Sequence, residues 1–191
     1  NDTIPEGVTH IEKAAYSENA LTSITIPNSE TPICDLGFAY NQLTTVALPA
    51  ELTTLGKEAF RNNALTQITI PTSVTSIGSY AFAYNKLKKL HVPASIANVE
   101  AMTFAYNELE DVTIEKASII SRGAFMGNRI HTLSLPNTLK TIGREAFHKS
   151  NLKRLILPEG VEAVGERAFQ NNQITSVTVP ASLKTVDLTA F

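Results

Sequence analysis

Apolar and polar positions follow one pattern that returns every 22 residues along the chain. The clearest copy, Leu65 to Lys86, reads LTQITIPTSVTSIGSYAFAYNK; the consensus is L-x-x-I-x-I-P-x-S-V-x-x-I-G-x-x-A-F-x-x-N-x. Phenylalanine marks the phase. Phe38, Phe60, Phe82, Phe104, Phe125, Phe147, Phe169 and Phe191 follow at steps of 22, with one step of 21 after Phe104. Tyr16 extends the series upstream. Eight of the nine prolines keep the same step, at Pro5, Pro27, Pro49, Pro71, Pro93, Pro136, Pro158 and Pro180, and Glu115 fills the gap. Each such residue therefore counts one coil of a repeat.

Within a coil, Ile68-Thr69-Ile70 alternates and is β-branched, which predicts a strand. Pro71 ends it, because proline lacks the N–H that continues a ladder. Val74 and Ile77 are expected to point inward from an extended or turn-like stretch, and Gly78 to supply a backbone geometry that other residues dislike. Ser79 to Tyr84 is expected to form a short helical turn that buries Ala81 and Phe82. Asn85 then returns the chain to the next strand at Leu87. A single coil cannot bury both sides of its apolar layer, so the coils must stack. The expected fold is an α/β solenoid of about nine coils over residues 1–191, with one parallel sheet of about eight strands and short helical turns opposite. At ~4.8 Å per strand that sheet would span roughly 35–40 Å.

An asparagine column runs through Asn19, Asn41, Asn63, Asn85, Asn107, Asn128 and Asn172, with Ser150 as the exception. Stacked amides can bond the turn backbones of adjacent coils, so a structural ladder is expected there. The segments SITIPNS, TQITIPTSVTSIGSYAFAYN, KTIGREAF and EAVGERAFQNNQITSVTVP carry a resemblance to the BspA-like leucine-rich-repeat family. The likeness covers essentially the whole chain. It implies a bacterial surface or secreted protein engaged in adhesion, matrix-protein binding or coaggregation. It implies no shared catalytic residues. Many members place Cys where this chain has its Asn column, which changes the ladder's chemistry and not the fold.

Two coils break the pattern. The coil Leu21–Gln42 puts Glu30 at the Val position, Pro32 nearby, Cys34 at the Gly position and Gly37 at the Ala position, which predicts a loosened coil. The coil Leu109–Arg129 is one residue short, with Glu115 for Pro and Ser121 for Gly, which predicts a tightened turn and a kink.

The outward strand positions are mostly small and hydroxylated, from Ser23 and Thr25 to Ser176 and Thr178. The charged exceptions are Lys89 and His91, Asp111, and Arg154, with Lys88 and Lys89 one rung from Glu110 and Asp111. Cross-strand pairing is the simpler reading of them, and a binding patch the sharper one. A second candidate lies at the turns, where Tyr40, Tyr84 and Tyr106 each follow a Phe by two residues. Tyr84 and Tyr106 fall on adjacent coils and can stack, and Tyr is favoured at protein interfaces. The candidate protein-binding residues are thus Lys89, His91, Asp111, Arg154, Tyr84 and Tyr106.

Composition narrows the function. A net charge of −2 with 18% charged residues excludes a polybasic nucleic-acid binder, and no apolar run reaches the length of a membrane span. A single cysteine excludes an internal disulfide framework. No catalytic or phosphate-binding motif is present, and His10, His91, His131 and His148 fall at different phases of the repeat, so no metal or cofactor site is expected. Glu108, Glu110, Asp111 and Glu115 read as a solvated face opposite Lys88 and Lys89.

The expected function is a non-catalytic module that binds a host, matrix or neighbouring-cell protein, at the cell surface or secreted, without membrane insertion by this segment. Two other readings stay open: a spacer that presents another domain, and binding of glycan or an iron-carrying protein in nutrient acquisition. Asn1–Pro5 aligns with a strand end and Phe191 stops within a coil, so the chain reads as a piece of a longer protein whose terminal coils are expected to fray or to be covered by flanking sequence or another copy.

Overall fold

The computed structural model describes residues 2–28 and 32–191. Among these residues, fourteen very short strands form two stacks, on two sides of the coils. The first stack contains β1 (Asp2–Thr3), β2 (Ile24–Thr25), β5 (Lys89–Val92), β7 (Asp111–Ile114), β9 (Thr132–Ser134), β11 (Arg154–Ile156) and β13 (Ser176–Thr178). The second contains β3 (Thr54–Leu55), β4 (Ser76–Ile77), β6 (Asn98–Val99), β8 (Ile119–Ile120), β10 (Thr141–Ile142), β12 (Ala163–Val164) and β14 (Thr185–Val186).

All pairing is parallel, and each residue meets its counterpart one coil on. Lys89 faces Asp111, Leu90 faces Val112, His91 faces Thr113 and Val92 faces Ile114. The first stack is interrupted, as β1-β2, β5-β7-β9 and β11-β13. The second runs unbroken through β6-β8-β10-β12-β14, with β3-β4 beyond it. Single bridges from Ile11 to Ile33 and from Ile33 to Leu55 carry it towards the N-terminus. The expectation of one sheet is therefore corrected to two ladders. The stretch ending in Ile77, read as extended or turn-like, is the second ladder.

Ile68-Thr69-Ile70, the segment that read most clearly as a strand, joins no ladder, and neither does Val46-Ala47-Leu48 in the coil before it. Two shallow depressions of about 420 and 430 Å³ open where these segments pass each other and β5. Val46, Leu48 and Ile68 are half-buried there, whereas Leu90 and Val92 in β5 are 4% and 0% exposed. Alternation and β-branching establish which side chains face inward. Whether two neighbouring coils close to ladder distance is decided by the packing of the whole layer.

The third side of each coil is not helical, and no helix occurs among the described residues. Two residues four apart in each turn have φ between 53° and 72°, such as Tyr80 with Tyr84 and Met102 with Tyr106. A right-handed helix cannot pass through such residues. The turn instead shares its N–H groups between two tasks. Tyr80, Phe82 and Tyr84 donate to the carbonyls of Ala101, Thr103 and Ala105 in the next coil, at 2.9–3.0 Å. Ala81 and Ala83 donate back to Gly78 and Tyr80, at 3.2 and 3.1 Å. Sequence spacing alone does not distinguish this turn from a short helix, because both bury the same Ala-Phe pair.

The core is a file of rings. From Tyr16 to Phe191 each aromatic stacks on the next, with centroids 5.2–5.7 Å apart and planes within 16°. Gly78 lies against the coil before it: an added Cβ would sit 2.5 Å from Lys57 N and 2.7 Å from Gly56 C. Its φ is not in the left-handed region. The glycine is thus required by close backbone approach, and not by the unusual geometry expected of it.

The shortened coil loses its residue in one corner. The ladders stay in register on both sides of it, from Val92 with Ile114 to Val99 with Ile120. Glu115 uses the N–H that proline lacks to reach Val92 O at 3.0 Å, and its carboxylate accepts Ala94 N–H at 2.8 Å. In the other irregular coil, Glu30 lies outside the described residues. Cys34 keeps its ladder bond, N–H to Ile11 O at 3.0 Å.

Candidate protein-binding surfaces

The six candidate residues separate into two patches on different sides of the coil and one isolated residue. On the strand side, β5 and β7 hold Lys89, His91 and Asp111 outward while Leu90, Val92, Val112 and Ile114 point into the core. Lys89 Nζ lies 3.9 Å from Asp111 Oδ2, and His91 Nε2 lies 2.9 Å from Glu115 Oε1. Glu115, read from the sequence as part of a solvated acidic face opposite Lys88 and Lys89, thus joins the patch through His91. Lys88 forms no ion pair with Glu110 among the described residues. All four paired side chains are well exposed, so each contact contributes less than about 1 kcal/mol. Arg154, at the start of β11, aligns with Ser176 and forms no ion pair among the described residues. The Thr132 coil separates it from Asp111.

The second patch is on the turn side. The Tyr84 and Tyr106 rings stack with centroids 4.8 Å apart and planes at 15°. Arg61, one coil back, lies 5.8, 5.1 and 5.4 Å from the ring centres of Tyr40, Tyr80 and Tyr84. Its guanidinium donates to Glu58 at 2.7 Å. Burial works against the Arg61 charge, but the Glu58 hydrogen bond and the field of Tyr40 outweigh it and hold the pKa above the ordinary arginine value. Contact with a cation over several ring faces is itself favourable. Tyr40, Tyr84 and Tyr106 remain 37%, 40% and 39% exposed.

Each of these side chains is aimed by the turn. Tyr40, Tyr84 and Tyr106 occupy the second left-handed position, with φ of 57°, 59° and 54°. Glycine supplies room for Tyr106. An added Cβ at Gly127 would lie 2.6 Å from Tyr106 Cδ1, so the ring lies flat over the next coil, where its hydroxyl reaches Met126 Sδ at 3.1 Å. Burial, then the neighbouring Tyr84, pushes the Tyr106 pKa up and keeps that hydroxyl protonated.

Beyond Met126 the same flank becomes charged. Glu145 lies within 3.7–3.9 Å of Arg122, Arg144 and Arg167, and Glu166 within 3.4–3.6 Å of Arg144 and Arg167. His148 is among them, with Nδ1 buried and without a hydrogen-bond partner among the described residues. Burial, then Lys149, pushes its pKa down; Glu145 opposes this and Arg167 adds to it. The folded state therefore resists protonation more than the unfolded chain does. As pH falls below about 6.5, the ordinary histidine value, the unfolded state takes up the proton first and stability drops. Thermal melts between pH 7 and pH 5 are expected to show a smaller loss in His148→Gln than in the parent. Equal losses would refute this assignment.

Arg61, Tyr80 and the ion network were not singled out from the sequence. Their signal was present in the columns beside each Phe, where Arg61 stands among Ala39, Ala83 and Ala105.

The BspA type leucine rich repeat region, in six copies, matches residues 1–110 and 118–191. The unmatched stretch contains Glu115 and the shortened corner. No curated protein matches the chain. A leucine rich cell surface protein from Faecalibacterium prausnitzii is similar in structure, with 24% identity and a TM-score of 0.57 over 99% of this chain. The chain spans 56% of that protein's length. A leucine-rich repeat protein from Bacteroides ovatus follows, with 18% identity and a TM-score of 0.50, over 96% of this chain and 73% of its own. Both likenesses show the solenoid fold. The repeat match extends over all but residues 111–117, and the chain belongs to the BspA-type leucine-rich-repeat family.

Proposed function

We propose that the chain is a single solenoid serving as the protein-binding part of a bacterial cell-surface or secreted protein, holding a host, matrix or neighbouring-cell protein without catalysis. The observation that carries this reading is the aromatic cluster in which Tyr40, Tyr80 and Tyr84 surround Arg61 and Tyr106 stacks on Tyr84, with Tyr40, Tyr84 and Tyr106 exposed. Tyrosine and arginine dominate the energetic centres of protein interfaces, and here the turn geometry orders them in advance. The strand-side group of Lys89, His91 and Asp111 has the weaker claim, because its charges already have partners.

The test is capture of matrix and bacterial surface proteins on the immobilised chain. Paired Tyr84→Ala and Tyr106→Ala substitutions are expected to weaken capture at least tenfold, and Lys89→Ala with His91→Ala less than threefold. A chain that captures nothing at micromolar concentration would leave the spacer reading in its place.

A further inference from the structure

On the turn flank the aromatic cluster is continuous with a cationic one, and this juxtaposition specifies a partner. Tyr106 reaches Met126 in the next coil, and its hydroxyl senses the carboxylate of Glu145 further along. Around Glu145 and Glu166 stand Arg122, Arg144 and Arg167, with Lys149 close enough to act on His148. Three arginines thus face two carboxylates, with Lys149 as a further cation on the same turn as His148, on a chain whose total charge is −2. Lys149 is exposed and forms no ion pair among the described residues. Each arginine shares a carboxylate with at least one other arginine, at 3.4–3.9 Å, which leaves donors free for further acceptors.

We propose that this flank docks an acidic polypeptide segment bearing aromatic or aliphatic residues, its side chains lying against Tyr84, Tyr106 and Met126 and its carboxylates against Arg144, Lys149 and Arg167. The inference rests on the protein-binding reading and adds the chemistry of the partner. The excess of cations over carboxylates favours negative charge, and the tyrosine and methionine surface beside it favours apolar side chains. A sulfated glycan would use the cations and leave the aromatic half of the band without a role.

Fluorescence anisotropy on the intact chain tests this with a labelled Glu-rich peptide carrying Leu and Phe, its Gln-for-Glu analogue, and heparin. The acidic peptide is expected to bind at least tenfold more tightly than the analogue at low salt, with the difference shrinking as salt rises. Arg144→Gln with Lys149→Gln is expected to weaken it at least fivefold. Gly127→Ala, which displaces Tyr106 without changing charge, is expected to weaken it at least threefold. Lys89→Gln with Arg154→Gln, on the strand side, is expected to leave it unchanged, and thermal melts verify that every variant folds. Equal binding of the two peptides overturns the proposal. So does heparin binding that ignores Gly127→Ala while the acidic peptide fails to bind. Capture of a matrix protein that survives both flank variants upholds the binding function and overturns this flank as its site.

Discussion

Phe82→Ala is expected to destabilise the solenoid by about 3–5 kcal/mol. The ring is fully buried and stacks on Phe60 at 5.6 Å and on Phe104 at 5.7 Å, with planes within 5° of both. Its removal leaves a hole that cannot easily collapse. The backbone on one side is tied by Phe60 N–H to Ala81 O at 2.8 Å, and on the other by Phe82 N–H to Thr103 O at 2.9 Å. The deeper consequence follows from the linear architecture. Each coil touches only its neighbours, so stability is roughly a sum of coil and interface contributions. A defect at Phe82 weakens two successive interfaces in the middle of the array. Urea unfolding is expected to broaden, and hydrogen exchange to report separate protection of the coils before and after residue 82. A loss below about 1 kcal/mol, or an unchanged single transition, would show that the ring file does not couple the coils.

Asn85→Ala is expected to cost about 2–4 kcal/mol, because one side chain connects two coils. Asn85 Oδ1 accepts the buried Leu65 N–H at 3.0 Å, and Nδ2 donates to Phe60 O at 2.9 Å and Phe82 O at 3.1 Å. The carbonyls keep second donors, since Asn63 also reaches Phe60 O and Asn107 also reaches Phe82 O. The Leu65 N–H has no other acceptor among the described residues and is orphaned in the core, which costs about 1–3 kcal/mol. Weakened carbonyl bonds and lost packing supply the remainder. The chain contains its own milder version of this substitution. Ser150 keeps the donor, Oγ to Phe125 O at 2.8 Å, and the amide it cannot accept, Ile130 N–H, turns to the Ser150 carbonyl at 2.7 Å. Asn85→Ser is therefore expected to cost less than Asn85→Ala. Denaturant melts rank the two, and faster exchange of the Leu65 amide in Asn85→Ala identifies the cause. Equal losses in the two variants would contradict this account.

The two patches show where reading the sequence works. Lys89 and Asp111 lie at matching phases, so their pairing follows once the strand is recognised. Tyr84 and Tyr106 are likewise 22 residues apart, and their stack follows from the same rule. Arg61 is different. It meets Tyr84, one residue off its phase, and Tyr80, three residues off it, because these side chains lean across the coil boundary, and no count of residues reveals the lean. Glu145 draws three arginines from three coils: Arg144 is its chain neighbour, Arg167 stands at the same phase one coil on, and Arg122 is one residue off phase one coil back. Gly78 shows a related failure. The residue type announced a special position, but close approach of backbones and a left-handed φ both select glycine.

The amino-acid sequence by itself determined the period, the inward columns, the Asn ladder and the stacked solenoid. Each of these follows from side-chain type recurring at a constant step: identical residues at identical phase must meet their own copies when coils stack. The tertiary structure alone decided that there are two ladders, that the third side is a left-handed turn and not a helix, and that the ladder opens at Ile68. It also decided that the turn flank joins aromatic and cationic side chains into one surface. Those outcomes depend on backbone dihedrals and on the separation of neighbouring coils. They are set by how all the rings, amides and glycines of a layer pack at once, and a one-dimensional pattern does not contain them.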